Sequence, residues 1–214
     1  MIELKDFIQE SISINEAAPN FTNDAEGIKA FCSYVYDENF CKCVVNADLS
    51  ITVTAKNTKP HFDFDTCYMD TKDLTEIPSF IKYSNVEKVI LGLKESKKLK
   101  TWAPNVIGYC SGIIISETNK KLETLDLKDC EIRNGMLAVE KTNVKTIVGG
   151  HGDGVQIFLK MNKNLESIDL KKFTNCANPG SWIVSNKRLD IKPNQLPEGI
   201  RVQKNANKEK IYIS

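Results

Sequence analysis

From Leu74 onward a short apolar pattern returns at nearly constant spacing, and that period leaves few folds open. Leu122-Glu-Thr-Leu125-Asp-Leu127 is echoed by Leu165-Glu-Ser-Ile168-Asp-Leu170. Between them stands Val144-Lys-Thr-Ile147-Val148, and before them Leu99-Lys-Thr-Trp102. Fainter copies are Leu74-Thr-Glu-Ile77 and Asn186-Lys-Arg-Leu189-Asp-Ile191. The six starts are separated by 25, 23, 22, 21 and 21 residues. A unit this small cannot bury its apolar face alone, so the copies must stack into a solenoid.

The columns of such a stack test the alignment. Equivalent residues of neighbouring coils lie about 4.8 Å apart in a parallel sheet. The second position of each copy reads Thr75, Lys100, Glu123, Lys145, Glu166 and Lys187. From Lys100 onward the sign alternates, so opposite charges meet where like charges would repel. The third position reads Thr101, Thr124, Thr146 and Ser167, a hydroxyl ladder suited to β-structure. The register rests on the apolar positions, so the two columns are partly independent support.

A second set of apolar runs falls between the first: Val86–Leu91, Ile113–Ile115, Val155–Leu159 and Trp182–Val184. Turn signals stand at Ala103-Pro104-Asn105, Asn134-Gly135, Gly149–Gly154 and Asn178-Pro179-Gly180. Each coil is expected to hold two extended segments, with strand or irregular chain rather than helix on the outer side. Residues 99–127 resemble the BspA-like class of leucine-rich repeats. Ile107-Gly108 and Leu122-x-x-Leu125 match its pattern, whereas the Phe of that pattern and its spacing to Cys110 do not. The resemblance covers roughly residues 74–203 and implies binding of proteins or glycans rather than catalysis.

The preceding stretch differs. Residues 24–36 read as a helix, with Asn23 or Asp24 as N-cap. Residues 43–54 read as a hairpin turning at Asn46-Ala47-Asp48, or as one bent strand. An exposed solenoid end needs covering. The expected fold is therefore mainly β: a leucine-rich-repeat-like solenoid of about six coils of 21–25 residues, with an α+β N-terminal cap. Its divisions are an amphipathic segment and spacer (1–20), the cap (21–73), the repeats (74–203) and a C-terminal cap strand (204–214).

Charge narrows the function. Twenty-nine basic and 28 acidic residues leave a net charge of +1, which argues against general phosphate-backbone binding. The basic runs at Lys94–Lys100 and Lys160–Lys172 read as solvated loops. No run approaches the ~18 apolar residues of a membrane span, and the acidic N-terminus is unlike a secretory signal. Seven scattered cysteines read as reduced thiols of a cytosol-like compartment. Cys41 and Cys43 would share one face of a strand, as buried thiols or as a pair of metal thiolates.

Two stretches invite a chemical reading. In Val148-Gly-Gly-His-Gly-Asp-Gly-Val155, backbone N–H groups could meet an anion, with His151 as acid or base and Asp153 orienting it. That would suit a hydrolase or transferase; the plainer reading is a corner needing positive φ. His61, Asp63 and Asp65 share one strand face and could gather a metal, or simply form its wet side. Neither supplies a nucleophile motif, and no cofactor is expected. The favoured binding residues are Thr101, Glu123, Thr124, Lys145, Thr146, Glu166 and Ser167 on the repeats, with Trp182 as an exposed anchor. Trp102 aligns with core positions.

Leu4, Phe7, Ile8 and Ile12 follow the spacing of one helix face, yet so short a helix needs something to dock on. Leu4–Ser11 resembles the capsid-targeting peptide of internal head proteins in T-even-like tailed bacteriophages. Those peptides end in Leu/Ile-x-Glu, which a head-maturation protease cuts. Ile8-Gln9-Glu10 matches, implying cleavage before Ser11, and Ile14-Asn15-Glu16 offers a second site. The resemblance implies a non-enzymatic cargo protein of the phage head and host cytoplasm, binding a host protein. A structural virion or adhesin module is the remaining alternative.

Overall fold

A computed structural model describes residues 19–56, 64–176, 181–197, 200–204 and 210–213. The N-terminal helix α1 (Ala25–Val35) starts at Asp24, whose side chain accepts the Gly27 N–H at 2.8 Å. That bond holds the Asp24 carboxyl below the usual carboxylate range. Ile28, Phe31, Cys32 and Val35 form its buried face. The helix stops where Tyr36 turns extended, its N–H donating to the Cys32 carbonyl. Next, β1 (Cys41–Val45) and β2 (Ile51–Ala55) pair antiparallel through the expected turn after Val45.

The repeats wind into a parallel β-solenoid of about five turns. Its long sheet stacks β3 (Asp65–Lys72), β4 (Val89–Ser96), β6 (Cys110–Ile115), β8 (Glu131–Glu140), β11 (Gln156–Lys160) and β14 (Trp182–Val184). The short sheet stacks β5 (Thr101–Trp102), β7 (Thr124–Asp126), β9 (Thr146–Val148) and β12 (Ser167–Ile168). At a corner, β10 (His151–Asp153) pairs with β13 (Phe173–Thr174) and with the start of β8. The strands β15 (Arg201–Lys204) and β16 (Lys210–Ile213) close the long sheet antiparallel on β14. Thus β3, within the stretch read as cap, is the first strand of the long sheet.

Alternation of side chains across each strand builds the core. Leu91, Ile113, Leu137 and Ile157 form one inward column of the long sheet, and Leu93, Ile115, Val139 and Leu159 the next. From the short sheet, Trp102, Leu125, Ile147 and Ile168 face them. Trp102 is therefore a core residue, as its alignment implied. The copies at Leu74 and Leu189 bury their leucines without forming short-sheet strands.

Side-chain amides secure the turns leaving the long sheet. Asn119, Asn162 and Asn186 donate to the carbonyls of Leu93, Val139 and Leu159 in the preceding coil, at 2.9, 2.7 and 2.7 Å. Asn119 and Asn162 are fully buried, so these bonds offset a desolvation cost of about 1–3 kcal/mol each.

Three sequence readings are corrected. Asn134-Gly135 is not a turn but a bend inside β8, where the register shifts between Cys110 and Gly112 of β6. Gly135 admits the Ser111 carbonyl where a Cβ would collide with it. The bend lets one strand serve two neighbours: residues 131–133 pair with β10 and 136–140 with β11. Secondly, Cys32 and Cys43 are disulfide-bonded, joining α1 to β1 across a Cα–Cα distance of 6.1 Å. The uniform set of reduced thiols and the paired Cys41/Cys43 ligands are thereby replaced. The other five cysteines are free and buried. Thirdly, Arg188 rather than Lys187 continues the charge ladder, reaching Glu166 at 3.4 Å.

Candidate interaction surfaces

The favoured binding residues fall on two different faces. Thr101, Thr124, Thr146 and Ser167 stand in register on the outside of the short sheet. Ser167 Oγ donates to Thr146 Oγ1 at 3.3 Å. Beside them Lys145 Nζ lies 3.0 Å from Glu123, holding that carboxyl below its ordinary range, and Glu166 meets Arg188. This face satisfies much of its own polarity.

Trp182 lies on the outside of the long sheet instead. The register aligns Tyr68, Gly92, Ile114, Ala138, Phe158 and Trp182 in one outward column. Six rungs span about 24 Å at the usual interstrand spacing. No charged residue interrupts the column. Trp182 is 52% exposed and Tyr68 40%. A Cβ on Gly92 would lie 2.5 Å from the Tyr68 ring, so glycine there lets the ring lie across β4. Partial burial pushes the Tyr68 phenol above its usual range. At the flank, Lys160 reaches Glu140 at 3.5 Å and lies 4.9 Å from the Phe158 ring centre. Aromatic anchors with a polar border are the usual make-up of a protein-binding patch.

At the cap end of this column lies a groove of about 790 Å³ between the end of α1, the start of β1 and the outer face of β3. Tyr34, Phe40, Tyr68, Asp70, Lys72 and Lys94 are among its walls. Phe40 is 60% exposed, and the Lys72 ammonium sits 4.5 Å over the Tyr34 ring. Its residues come from places in the chain that share no local spacing, which is why the sequence offered no sign of it.

The glycine-rich stretch is a corner of the coil. Gly149, Gly150 and Gly154 have φ of +65°, +87° and +64°. Gly152 packs where a Cβ would come within 2.4 Å of the Ile132 carbonyl. His151 and Asp153 both point outward, yet they do not engage one another. His151 Nε2 lies 3.3 Å from Glu131, whose carboxyl is lowered chiefly by its hydrogen bond from Arg133. Asp153 accepts from Thr174 Oγ1 and Asn175 Nδ2, both at 2.6 Å, and those bonds lower its carboxyl. The expected orientation of His151 by Asp153 is absent because each side chain is tied to a neighbouring coil.

His61 and Asp63 lie outside the described residues, as do Ile8, Glu10, Ser11 and Glu16. Among the described residues no cluster of three His, Cys, Asp or Glu side chains is placed to hold a metal ion. Nor is any helix among them long and apolar enough to cross a membrane. No family model, curated protein or solved structure matches the chain.

Proposed function

We propose that this chain is a non-enzymatic protein-binding scaffold that takes its partner on the outer face of the long sheet. In its finer description it is a leucine-rich-repeat-like solenoid built from the six copies of the short apolar pattern. The observation that carries the reading is the uncharged outward column ending in Phe158 and Trp182, set against a short sheet whose charges pair among themselves. Large apolar side chains in register on an open sheet offer area whose burial drives association. By the resemblance of residues 1–10, the protein is cargo of a phage head that loses its N-terminal tag and binds a host protein.

The binding face is tested by capturing host protein with the full chain, then with Trp182→Ala and with Thr124→Ala. Loss with Trp182→Ala alone supports the long-sheet face; loss with Thr124→Ala alone moves the site to the short sheet. Recovery that is insensitive to either change refutes both faces. The cargo reading rests on a separate measurement, the intact mass of the protein from purified particles. A species beginning at Ser11 or Ala17 supports it, and a full-length species refutes processing.

A further inference from the structure

Two of the buried thiols stand where a second cross-link can close. We propose that Cys110 and Cys130 are a disulfide site, oxidised by glutathione disulfide or another small disulfide, that ties the β6 coil to the β8 coil.

The two sulfurs lie 3.8 Å apart, in contact, and both residues are fully buried. A disulfide holds its sulfurs at about 2.05 Å, so each has only about 1 Å to travel. Main-chain bonds fix both residues independently of their side chains. The Cys130 N–H donates to the Leu127 carbonyl at 3.0 Å, and the neighbouring Asp129 carbonyl accepts the Val106 N–H at 2.9 Å. On the other coil Cys110 stands in register with Ile132 of β8. Two thiols held together in this way react as if at very high concentration.

No other chemistry competes for the pair. The Cys110 thiol also reaches the Gly112 carbonyl at 3.6 Å, but S–H is a weak donor. Among the described residues no third ligand joins the two sulfurs to hold a metal ion. The bond would span the register shift between Cys110 and Gly112, where the β6–β8 ladder is interrupted. The chain already holds Cys32 and Cys43 as a disulfide, and conditions that keep that bond oxidised act on this pair too.

Burial sets the route. The Cys130 thiol is pushed well up by its hydrogen bond to Cys110 and by burial. Since the thiolate is the attacking species, closure proceeds while the coil opens or forms, not in the shut stack. One cysteine thiolate attacks a sulfur of glutathione disulfide, breaking its S–S bond and releasing one glutathione thiolate. The other cysteine thiolate then attacks the protein sulfur of that mixed disulfide, closing Cys110–Cys130 and releasing the second glutathione. Both cysteine protons end on the two glutathione thiols, so one small disulfide is reduced for each bond made.

This inference does not depend on the long-sheet binding face or on processing. The full chain is incubated with glutathione disulfide, in buffer and in urea just below its unfolding midpoint. Free thiols are then alkylated in denaturant and the unreduced peptides mapped by mass spectrometry. A peptide pair joined through Cys110 and Cys130 should be the predominant new link, formed about ten-fold or more faster in urea. Cys130→Ser should leave Cys110 alkylated or carrying glutathione. If that variant does not fold, the wild-type map still decides. Cys110 and Cys130 both alkylated after treatment in urea overturns the proposal. So does a stable glutathione adduct on either residue without closure, or linkage of either to Cys41, Cys67 or Cys176 as often as to each other.

Discussion

The two sheets of the solenoid share a winding but not an outer surface. Inward, both present unbroken columns of large apolar residues, Leu91 to Ile157 on the long sheet and Trp102 to Ile168 on the short one. Outward, the short sheet shows hydroxyls and paired charges, whereas the long sheet shows Tyr68, Ile114, Phe158 and Trp182. Folding constrains the inward half of each strand; the outward half is free to vary. A departure from polarity there is more informative about binding than any feature of the core.

Leu137→Ala and Leu125→Ala, one on each sheet, should each cost about 2–5 kcal/mol in chemical denaturation. A much smaller loss at Leu125 would mean that the short sheet is not an equal wall. Next comes the turn amide. Asn162 donates to Val139 and accepts from the Thr142 N–H at 3.0 Å and Thr142 Oγ1 at 2.8 Å. Asn162→Ala should cost about 1–3 kcal/mol, while Asn164→Ala, at a half-buried position whose amide donates to the Asn143 side chain at the surface, should shift the midpoint far less.

At the outer faces the effects separate by type. Trp182→Ala should weaken partner binding by about 2 kcal/mol, roughly thirty-fold in Kd, with the unfolding midpoint kept. A lost midpoint would instead make Trp182 structural. The smallest effect belongs to Lys145→Met on the short sheet. Lys145 depresses the Glu123 carboxyl, so its contribution is present above the unfolded-state pKa of that group and fades as pH falls through the depressed value. Both groups are exposed, so the difference between wild type and variant should be slight, largest at low salt and absent in acid. A large, salt-resistant difference would contradict a merely solvated ladder.

Much of the architecture was legible because a stack repeats its constraints. The hydroxyl column Thr101, Thr124, Thr146 and Ser167 came directly from spacing, and so did the burial of Trp102 and the glycine corner. The strand Met136–Glu140 was hidden because Asn134-Gly135 looks like a turn, though in this fold it bends a continuing strand. Arg188 replaced Lys187 because the last copy forms no short-sheet strand to hold the alternation in phase. The turn asparagines were missed since their partners are backbone carbonyls, which leave no mark on composition. The Cys32–Cys43 pair and the groove depend on how α1 lies against β1 and β3, a packing angle that no local spacing encodes.

The reversal of direction at β16 and β15 has a consequence beyond covering the last coil. A parallel stack whose final rung copies its first is complementary to its own beginning, and such head-to-tail contacts propagate into filaments rather than closing. Two antiparallel strands present the wrong polarity for another coil to add in the same sense. At the other end, the hairpin strand β2 lies against β3 and α1 crosses beside it. Each end of the described stack thus carries its own stop signal against the addition of a further coil.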